Sequence, residues 1–83
     1  MTHTVYLDIN RSKIGAYRAS RIFMACRSYV QRLCQTRAQV SQAVYRDYER
    51  VGWYFYTQTE RQAILLCEYY ADVMRKTAGW QID

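Results

Sequence analysis

Apolar residues recur every three or four positions between residues 12 and 34, and this is the longest regular pattern in the chain. The spacing is that of one face of an α-helix, because 3.6 residues make one turn. The apolar face consists of Gly15, Ala19, Ile22, Phe23, Cys26, Tyr29, Val30, Leu33 and Cys34. The pattern predicts a first helix from about Ser12 to Gln35, with Asn10 or Ser12 as its N-terminal cap.

Two interpretations of residues 36–51 stay open. Thr36 and Gln39 have the spacing of a weak capping box, which would begin a second helix over residues 37–51. Alternatively, the first helix continues without a break to residue 51, since no Gly or Pro lies between Ala16 and Val51. In both interpretations Gly52 ends the helix.

Short extended segments are predicted on both sides of this region. Val5, Leu7 and Ile9 alternate with polar residues, which is typical of a strand or an extended arm. Residues 53–56 form a dense aromatic cluster that is too short for its period to identify it. The cluster is either a brief strand that pairs with residues 5–9 or a helical turn on the core.

A last helix is predicted from about Thr59 onward. Thr59 and Gln62 have capping-box spacing, as do Thr57 and Glu60 just before them. The apolar face of this helix would hold Ala63, Leu66, Cys67, Tyr70, Ala71, Val73 and Met74. Gly79 is its predicted C-terminal stop.

Together these elements predict a mainly α fold in a single domain of 83 residues. The expected architecture is a small bundle of two or three antiparallel helices over residues 11–83, preceded by an N-terminal extended arm over residues 1–10. A minor two-stranded β pairing between residues 5–9 and 53–56 is an option within this fold.

Charge adds a second pattern to the first helix. The net charge is +5, and ten of the twelve basic residues are arginines. No acidic residue lies between Asp8 and Asp47, whereas eight Lys or Arg residues do. On a helical wheel four arginines fall along one flank of the apolar face: Arg11, Arg18, Arg21 and Arg32. A basic flank predicts an acidic partner, either phosphate or carboxylate.

The chain offers little for catalysis or metal binding. His3 is the only histidine, and Cys26, Cys34 and Cys67 are scattered, so the four closely spaced ligands of a zinc site are missing. Glu68 and Asp72 share a helix face, where local ion pairs explain them. We therefore expect no enzyme activity, no metal and no cofactor.

The cysteines also indicate a compartment. All three lie at apolar-periodic positions and their number is odd, so we expect small buried hydrophobic residues in a reducing, cytoplasmic environment. The N-terminal residues lack the apolar stretch of a signal peptide. No apolar run approaches the ~20 residues that span a bilayer, so no membrane partner is expected.

Function is predicted from size and surface chemistry. We expect a small regulator or inhibitor that docks on an acidic protein surface or nucleoprotein complex, of the kind that phages and mobile elements encode, anti-defence proteins included. Aromatic residues that could anchor such a contact are Tyr17, Trp53, Tyr54, Tyr56, Tyr69 and Trp80. They could equally form a homodimer. The alternative is a basic helical nucleic-acid-binding protein, repressor-like or non-specific.

Overall fold

The computed structural model describes the backbone of residues 2–82 and the side chains of residues 2–76. The elements along the chain are β1 (His3–Asn10), α1 (Arg11–Ile14), α2 (Ala16–Cys34), β2 (Gln39–Val40), β3 (Val44–Arg46), β4 (Arg50–Thr57) and α3 (Glu60–Ile82). Strand β4 is central, because it pairs antiparallel with β1 on one side and with β2 and β3 on the other.

The prediction of a mainly α helical bundle is wrong. A four-stranded antiparallel sheet forms one layer of the molecule and the helices form the other. The pairing of residues 5–9 with residues 53–56 is present, with Val5 opposite Phe55 and Leu7 opposite Trp53. It is not a minor feature, since β1 and β4 pair over eight residues each.

The hydrophobic core lies between the sheet and the two long helices. Alternate residues of β1 and β4 face the helices, as expected for a strand with one buried side. The buried members of this core are Val5, Leu7, Ile9, Ile14, Ala19, Ile22, Cys26, Val30, Phe55 and Leu66. The opposite side of the sheet, which carries the even-numbered residues of β1 and β4, is covered by no helix in the described part of the chain.

The predicted first helix is divided in two at Gly15. This glycine has a φ of +97°, a conformation that side-chain-bearing residues rarely adopt. Helix α1 therefore ends at Ile14, and α2 begins at Ala16. Asn10 caps α1 as predicted, because its Oδ1 accepts a hydrogen bond of 3.0 Å from the backbone N–H of Lys13.

Both helical interpretations of residues 36–51 are wrong. Val40 lies opposite Phe55 in β2, and Val44 lies opposite Gly52 in β3. Asp47 and Tyr48 have φ values of 52° and 62°, and they turn the chain from β3 into β4. Two successive positive φ values are typical of the tight turns that join antiparallel strands. Gly52 consequently lies inside β4 and ends no helix.

The start of α3 confirms the capping box at Thr59 and Gln62. Thr59 Oγ1 accepts a hydrogen bond of 3.1 Å from the backbone N–H of Gln62, and Gln62 Oε1 accepts one of 3.2 Å from the N–H of Thr59. The helix continues past the predicted stop at Gly79 to Ile82. The described helices include none that is both long and apolar enough to cross a membrane.

Two residues placed on the apolar face of the last helix are exposed. Leu66 is fully buried and Tyr70 half-buried, but Cys67 and Ala71 face solvent. The buried arc of α3 is therefore narrower than predicted, and Cys67 does not belong to the core. Of the other cysteines, Cys26 is buried and Cys34 is half-buried.

Candidate binding surfaces

Charged and aromatic residues that lie outside the hydrophobic core are grouped on two surfaces. The first, here called the basic face, lies on α2 and consists of Tyr17, Arg18, Arg21, Met24 and Arg32. The second, here called the open face, is the uncovered side of the sheet. Its members are Tyr6, Asp8, Gln39, Val44, Arg46, Arg50, Gly52, Tyr54 and Tyr56.

The basic face unites three of the four arginines that were predicted to share a flank. Arg18, Arg21 and Arg32 lie on α2, with Arg32 about 16 Å along the helix axis from Arg21. Arg11 lies on α1, beyond the break at Gly15, so the helical periodicity of α2 does not include it. Its guanidinium carbon is 5.2 Å from the ring centroid of Tyr45.

Tyr17 and Arg21 form a pair at the centre of the basic face. Arg21 Nη1 donates a hydrogen bond of 3.1 Å to the Tyr17 hydroxyl, and its guanidinium carbon lies 5.7 Å from the centre of that ring. The Tyr17 side chain is 72 % exposed, and Met24 beside it is 53 % exposed. A cation, an aromatic ring and a flexible thioether are thus presented together to solvent.

Arg21 and Arg32 of the basic face gain no ion pair from the described side chains of the neighbouring helix. Asp72 of α3 pairs with Lys76 at 3.0 Å and with Arg75 at 3.3 Å, both on its own helix. Hydrogen bonds from Lys76 and then Arg75 hold the pKa of Asp72 below its ordinary value. Arg21 and Arg32 form no ion pair with any residue whose side chain the structure describes.

The open face is built around two tyrosines from neighbouring strands. The ring centroids of Tyr6 in β1 and Tyr54 in β4 are 4.8 Å apart, with the ring planes tilted by 48°. The guanidinium carbon of Arg46 lies 5.0 Å from the Tyr6 ring centroid. Tyr56 continues the row along β4, two residues beyond Tyr54 on the same side of the sheet.

Gly52 allows the Tyr6 ring to lie flat against the sheet. A Cβ atom built on Gly52 would overlap the Tyr6 hydroxyl, and it would lie 2.9 Å from Asp8 Cβ. The Tyr6 hydroxyl is buried and has no hydrogen-bond partner among the described residues. Buried hydroxyl groups usually have such a partner, so Tyr6 is an exception within this face.

A salt bridge closes one end of the open face. Arg50 Nη1 and Asp8 Oδ1 are 3.0 Å apart, and the two side chains are 48 % and 26 % exposed. Asp8 also links β1 to α3, because its backbone carbonyl accepts a hydrogen bond from the Tyr70 hydroxyl. Burial, and then the Asp8 charge, raise the pKa of Tyr70 to about 12.

The other predicted aromatic anchors lie elsewhere. Trp53 points to the covered side of the sheet, where its ring is 4.4 Å from that of Phe23. Tyr69 stacks on Tyr29 between α3 and α2, with ring centroids 4.1 Å apart. Both residues are half-buried and contribute to packing. The side chain of Trp80 lies outside the described residues.

The open face as a whole was missed from the sequence. Both helical interpretations of residues 36–51 place Arg46 and Arg50 on a helix instead of on strands. Tyr54 and Tyr56 are predicted anchors, and Tyr6 is available for stacking in the nucleic-acid interpretation, but no sequence pattern brings these residues together. One available indication was Gly52, because a glycine inside a strand often marks the close approach of another group. Tyr48 was also missed, and its side chain, at the tip of the turn between β3 and β4, is 93 % exposed.

Burial raises the pKa of Cys26 to about 12, so the buried thiol stays neutral at physiological pH. In the part of the chain that the structure describes, no three His, Cys, Asp or Glu residues are grouped so that they could hold a metal ion.

No family model matches the chain, and no curated protein or solved structure matches it either. The function is therefore inferred from the residues of the basic face and the open face.

Proposed function

We propose that this protein is a non-enzymatic regulator or inhibitor, and that its basic face docks on an acidic surface of a larger protein or protein–nucleic-acid complex. The observation that carries the proposal is the positive charge of Arg21 and Arg32 on α2, which form no ion pair with a described residue. Complementary charge steers association and selects the partner.

The basic face also has the residue types that anchor interfaces. Arginine, tyrosine and methionine are enriched where proteins meet, and arginine makes paired hydrogen bonds with carboxylates. Tyr17 and Met24 are largely exposed on either side of the Arg21 side chain. Their burial on contact would supply the apolar part of the binding free energy, and the arginines would supply orientation.

Size and surface character support a regulatory role. A chain of 83 residues, in whose described part no three His, Cys, Asp or Glu side chains are grouped for metal binding, resembles in size the single-domain blockers that phages and mobile elements encode, anti-defence proteins among them. We expect it to act in the cytoplasm. A second copy of the chain is the other partner that would cover the basic face.

Affinity capture from the native host's lysate, with and without nuclease, tests the proposal. The partner recovered with the unchanged protein is then titrated against Arg21→Glu and Arg32→Glu. Each reversal is expected to weaken binding about tenfold or more, since like charges then face each other. Loss of the partner after nuclease treatment would show that nucleic acid belongs to the target surface.

Arg61→Glu is the matched control for Arg21→Glu. It makes the same change in net charge at an exposed position in the first turn of α3, which contacts α2 at Leu33, at the opposite end of α2 from Arg21. If Arg61→Glu weakened binding as much as Arg21→Glu does, net charge rather than the basic face would determine association. Light scattering that gave a mass of twice 10.0 kDa, reduced to one chain by Arg21→Glu, would identify a second copy as the partner instead.

Nucleic-acid binding is a second candidate function, and a specific observation favours it. The tyrosines and arginines of the open face lie together on one exposed sheet surface, although the sequence had suggested a helical, repressor-like mode.

A further inference from the structure

We propose that the open face binds single-stranded nucleic acid, with bases stacked on Tyr54 and Tyr56 and phosphates held by Arg46 and Arg50 at one end of the row. This surface is separate from the basic face, so the inference holds whether or not α2 docks on a protein.

The spacing of the tyrosines suits an extended strand of nucleotides. Tyr54 and Tyr56 are two residues apart on one side of β4, which places them about 6.7 Å apart along the strand. This is about twice the 3.4 Å between successive bases of one strand in a duplex. Bases that stack on the two rings must therefore be separated from each other, as they are in an extended single strand.

Positive charge lies at one end of the row of tyrosines. Arg46 and Arg50 lie opposite each other there, across β3 and β4. A backbone that runs along β4 would meet these two arginines beside the base stacked on Tyr54. Arginine suits this position because its guanidinium group can bind phosphate and also stack on a base.

The contacts that these arginines make within the protein are easily exchanged for phosphate. The Arg50–Asp8 pair is solvent-exposed, and exposed ion pairs contribute little to stability. Arg46 contacts the face of Tyr6 without an ion pair among the described residues. Both side chains can turn to a phosphate without unfolding the sheet.

Tyr6 gives the open face an unused hydrogen-bonding group. Its hydroxyl is buried without a partner in the described structure, beneath Arg46 and beside Tyr54. When Arg46 turns towards a phosphate, this hydroxyl becomes accessible to the edge of a base stacked on Tyr54. A hydrogen bond between the base and this hydroxyl would satisfy an otherwise unpaired polar group, which favours the bound state.

The binding experiment is a fluorescence anisotropy titration with a labelled oligothymidylate of about 15 nucleotides at about 50 mM salt. Tyr54→Ala and Tyr56→Ala are each expected to weaken binding about 5- to 100-fold, the effect of losing one stacked base. Tyr54→Phe should retain binding because the ring remains. Tyr48→Ala is the control, since it removes an even more exposed tyrosine outside the open face.

Salt dependence and competition separate stacking from simple charge attraction. Two phosphate contacts, at Arg46 and Arg50, predict a slope of about −1.4 for the logarithm of affinity against that of salt concentration. Arg46→Ala should reduce the slope by about 0.7. Heparin and a duplex of equal charge should compete less well than unlabelled single strand, because neither offers free base faces.

Several results would overturn the inference. These are no binding at low salt, equal binding by Tyr54→Ala and Tyr56→Ala, or equal competition by heparin. A host protein that bound through Tyr54 and Tyr56 in the absence of nucleic acid would assign the open face to a protein partner. Arg21→Glu, compared with Arg61→Glu, reports on the basic face alone, so the two proposals can fail independently.

Discussion

The two sides of the sheet are made by the same strands and have opposite chemistry. In β4 the successive residues Trp53, Tyr54, Phe55 and Tyr56 alternate between them. The rings without a hydroxyl group face the helices, and the rings with a hydroxyl group face away. On the covered side Phe55 is 1 % exposed, whereas Tyr54 on the open face is 36 % exposed.

This difference separates what stabilises the fold from what is available for recognition. The covered side removes aliphatic and aromatic surface from water, which is the main favourable contribution to folding. The open face holds aromatic rings, arginines and a salt bridge that leave much of their surface in water. The exposed side chains of this face can therefore change with a small effect on stability, and their loss should appear mainly in binding.

The largest expected effect comes from exchanging one aromatic ring on each side. Phe55→Ala should lower the free energy of unfolding by about 3–5 kcal/mol, because it leaves a cavity among residues that cannot close it. Tyr56→Ala should lower it by about 1 kcal/mol or less. Urea denaturation followed by circular dichroism measures both. Similar losses of unfolding free energy in the two variants would mean that Tyr56 on the open face is also covered in solution.

The contact between Gly52 and Tyr6 gives the next largest effect. Gly52→Ala should cost about 1–3 kcal/mol, since the added methyl group overlaps the Tyr6 hydroxyl. Removal of the ring as well, in Gly52→Ala combined with Tyr6→Ala, should recover much of this loss. A double-mutant cycle of the four proteins measures the coupling, and additive effects would show that the ring does not lie across Gly52 in solution.

Local patterns in the sequence were sufficient for the parts of the fold that local contacts determine. The Asn10 cap and the Thr59–Gln62 capping box need only residues three positions apart. In both caps the bonding partners are fixed by spacing along the chain. The pairing of residues 5–9 with residues 53–56 stayed one of two interpretations, because four aromatic residues are too few to show a period.

Residues 36–51 show why the rest could not be predicted. Val40, Val44 and Val51 have a spacing that fits a helix, but each is held by a strand partner instead. Pairing with β4 outweighs a local preference whose magnitude is a fraction of a kcal/mol per residue. The open face could not be seen for the same reason, since Tyr6 and Tyr54 meet only after β1 and β4 pair.

Alkaline pH should lower the free energy of unfolding through two groups on the covered side of the sheet, Tyr70 and Cys26. The pKa of Tyr70 is raised to about 12 in the folded protein from 10.0, and that of Cys26 to about 12 from 9.0. Because both folded-state pKa values exceed the unfolded ones, the protonated groups favour the folded state. Their contribution to stability is complete below pH 9 and is lost between about pH 9 and 12. Urea midpoints across this range should fall.

The variant Tyr70→Phe separates the effect of Tyr70 on the alkaline decline from that of Cys26. It removes the hydrogen bond to the Asp8 carbonyl, which should cost about 1 kcal/mol near neutral pH, and it should flatten the decline above pH 10. Tyr54→Phe on the open face is the matched control and should leave the shape of the profile unchanged. An identical decline in both variants would assign the alkaline loss to Cys26 or to general charge repulsion.

The smallest expected effect lies at the turn between β3 and β4, outside both sides of the sheet. Tyr48 has a φ of 62°, which is unfavourable for a residue with a side chain. Tyr48→Gly should raise the free energy of unfolding by about 0.5 kcal/mol, because glycine adopts this conformation without strain. Denaturation in urea checks the sign. A loss of stability would mean that the Tyr48 side chain makes a stabilising contact.

The interruption between β2 and β3 has a consequence for self-association. At this point Ser41 replaces a regular ladder contact, because its Oγ accepts a hydrogen bond of 2.9 Å from the backbone N–H of Tyr54. The outer strand on this side is thereby divided into segments of two and three residues. Another chain would find no long row of backbone donors and acceptors to pair with here. A short, broken edge of this kind hinders edge-to-edge pairing on this side of the sheet, whereas β1, the edge strand on the other side, is eight residues long.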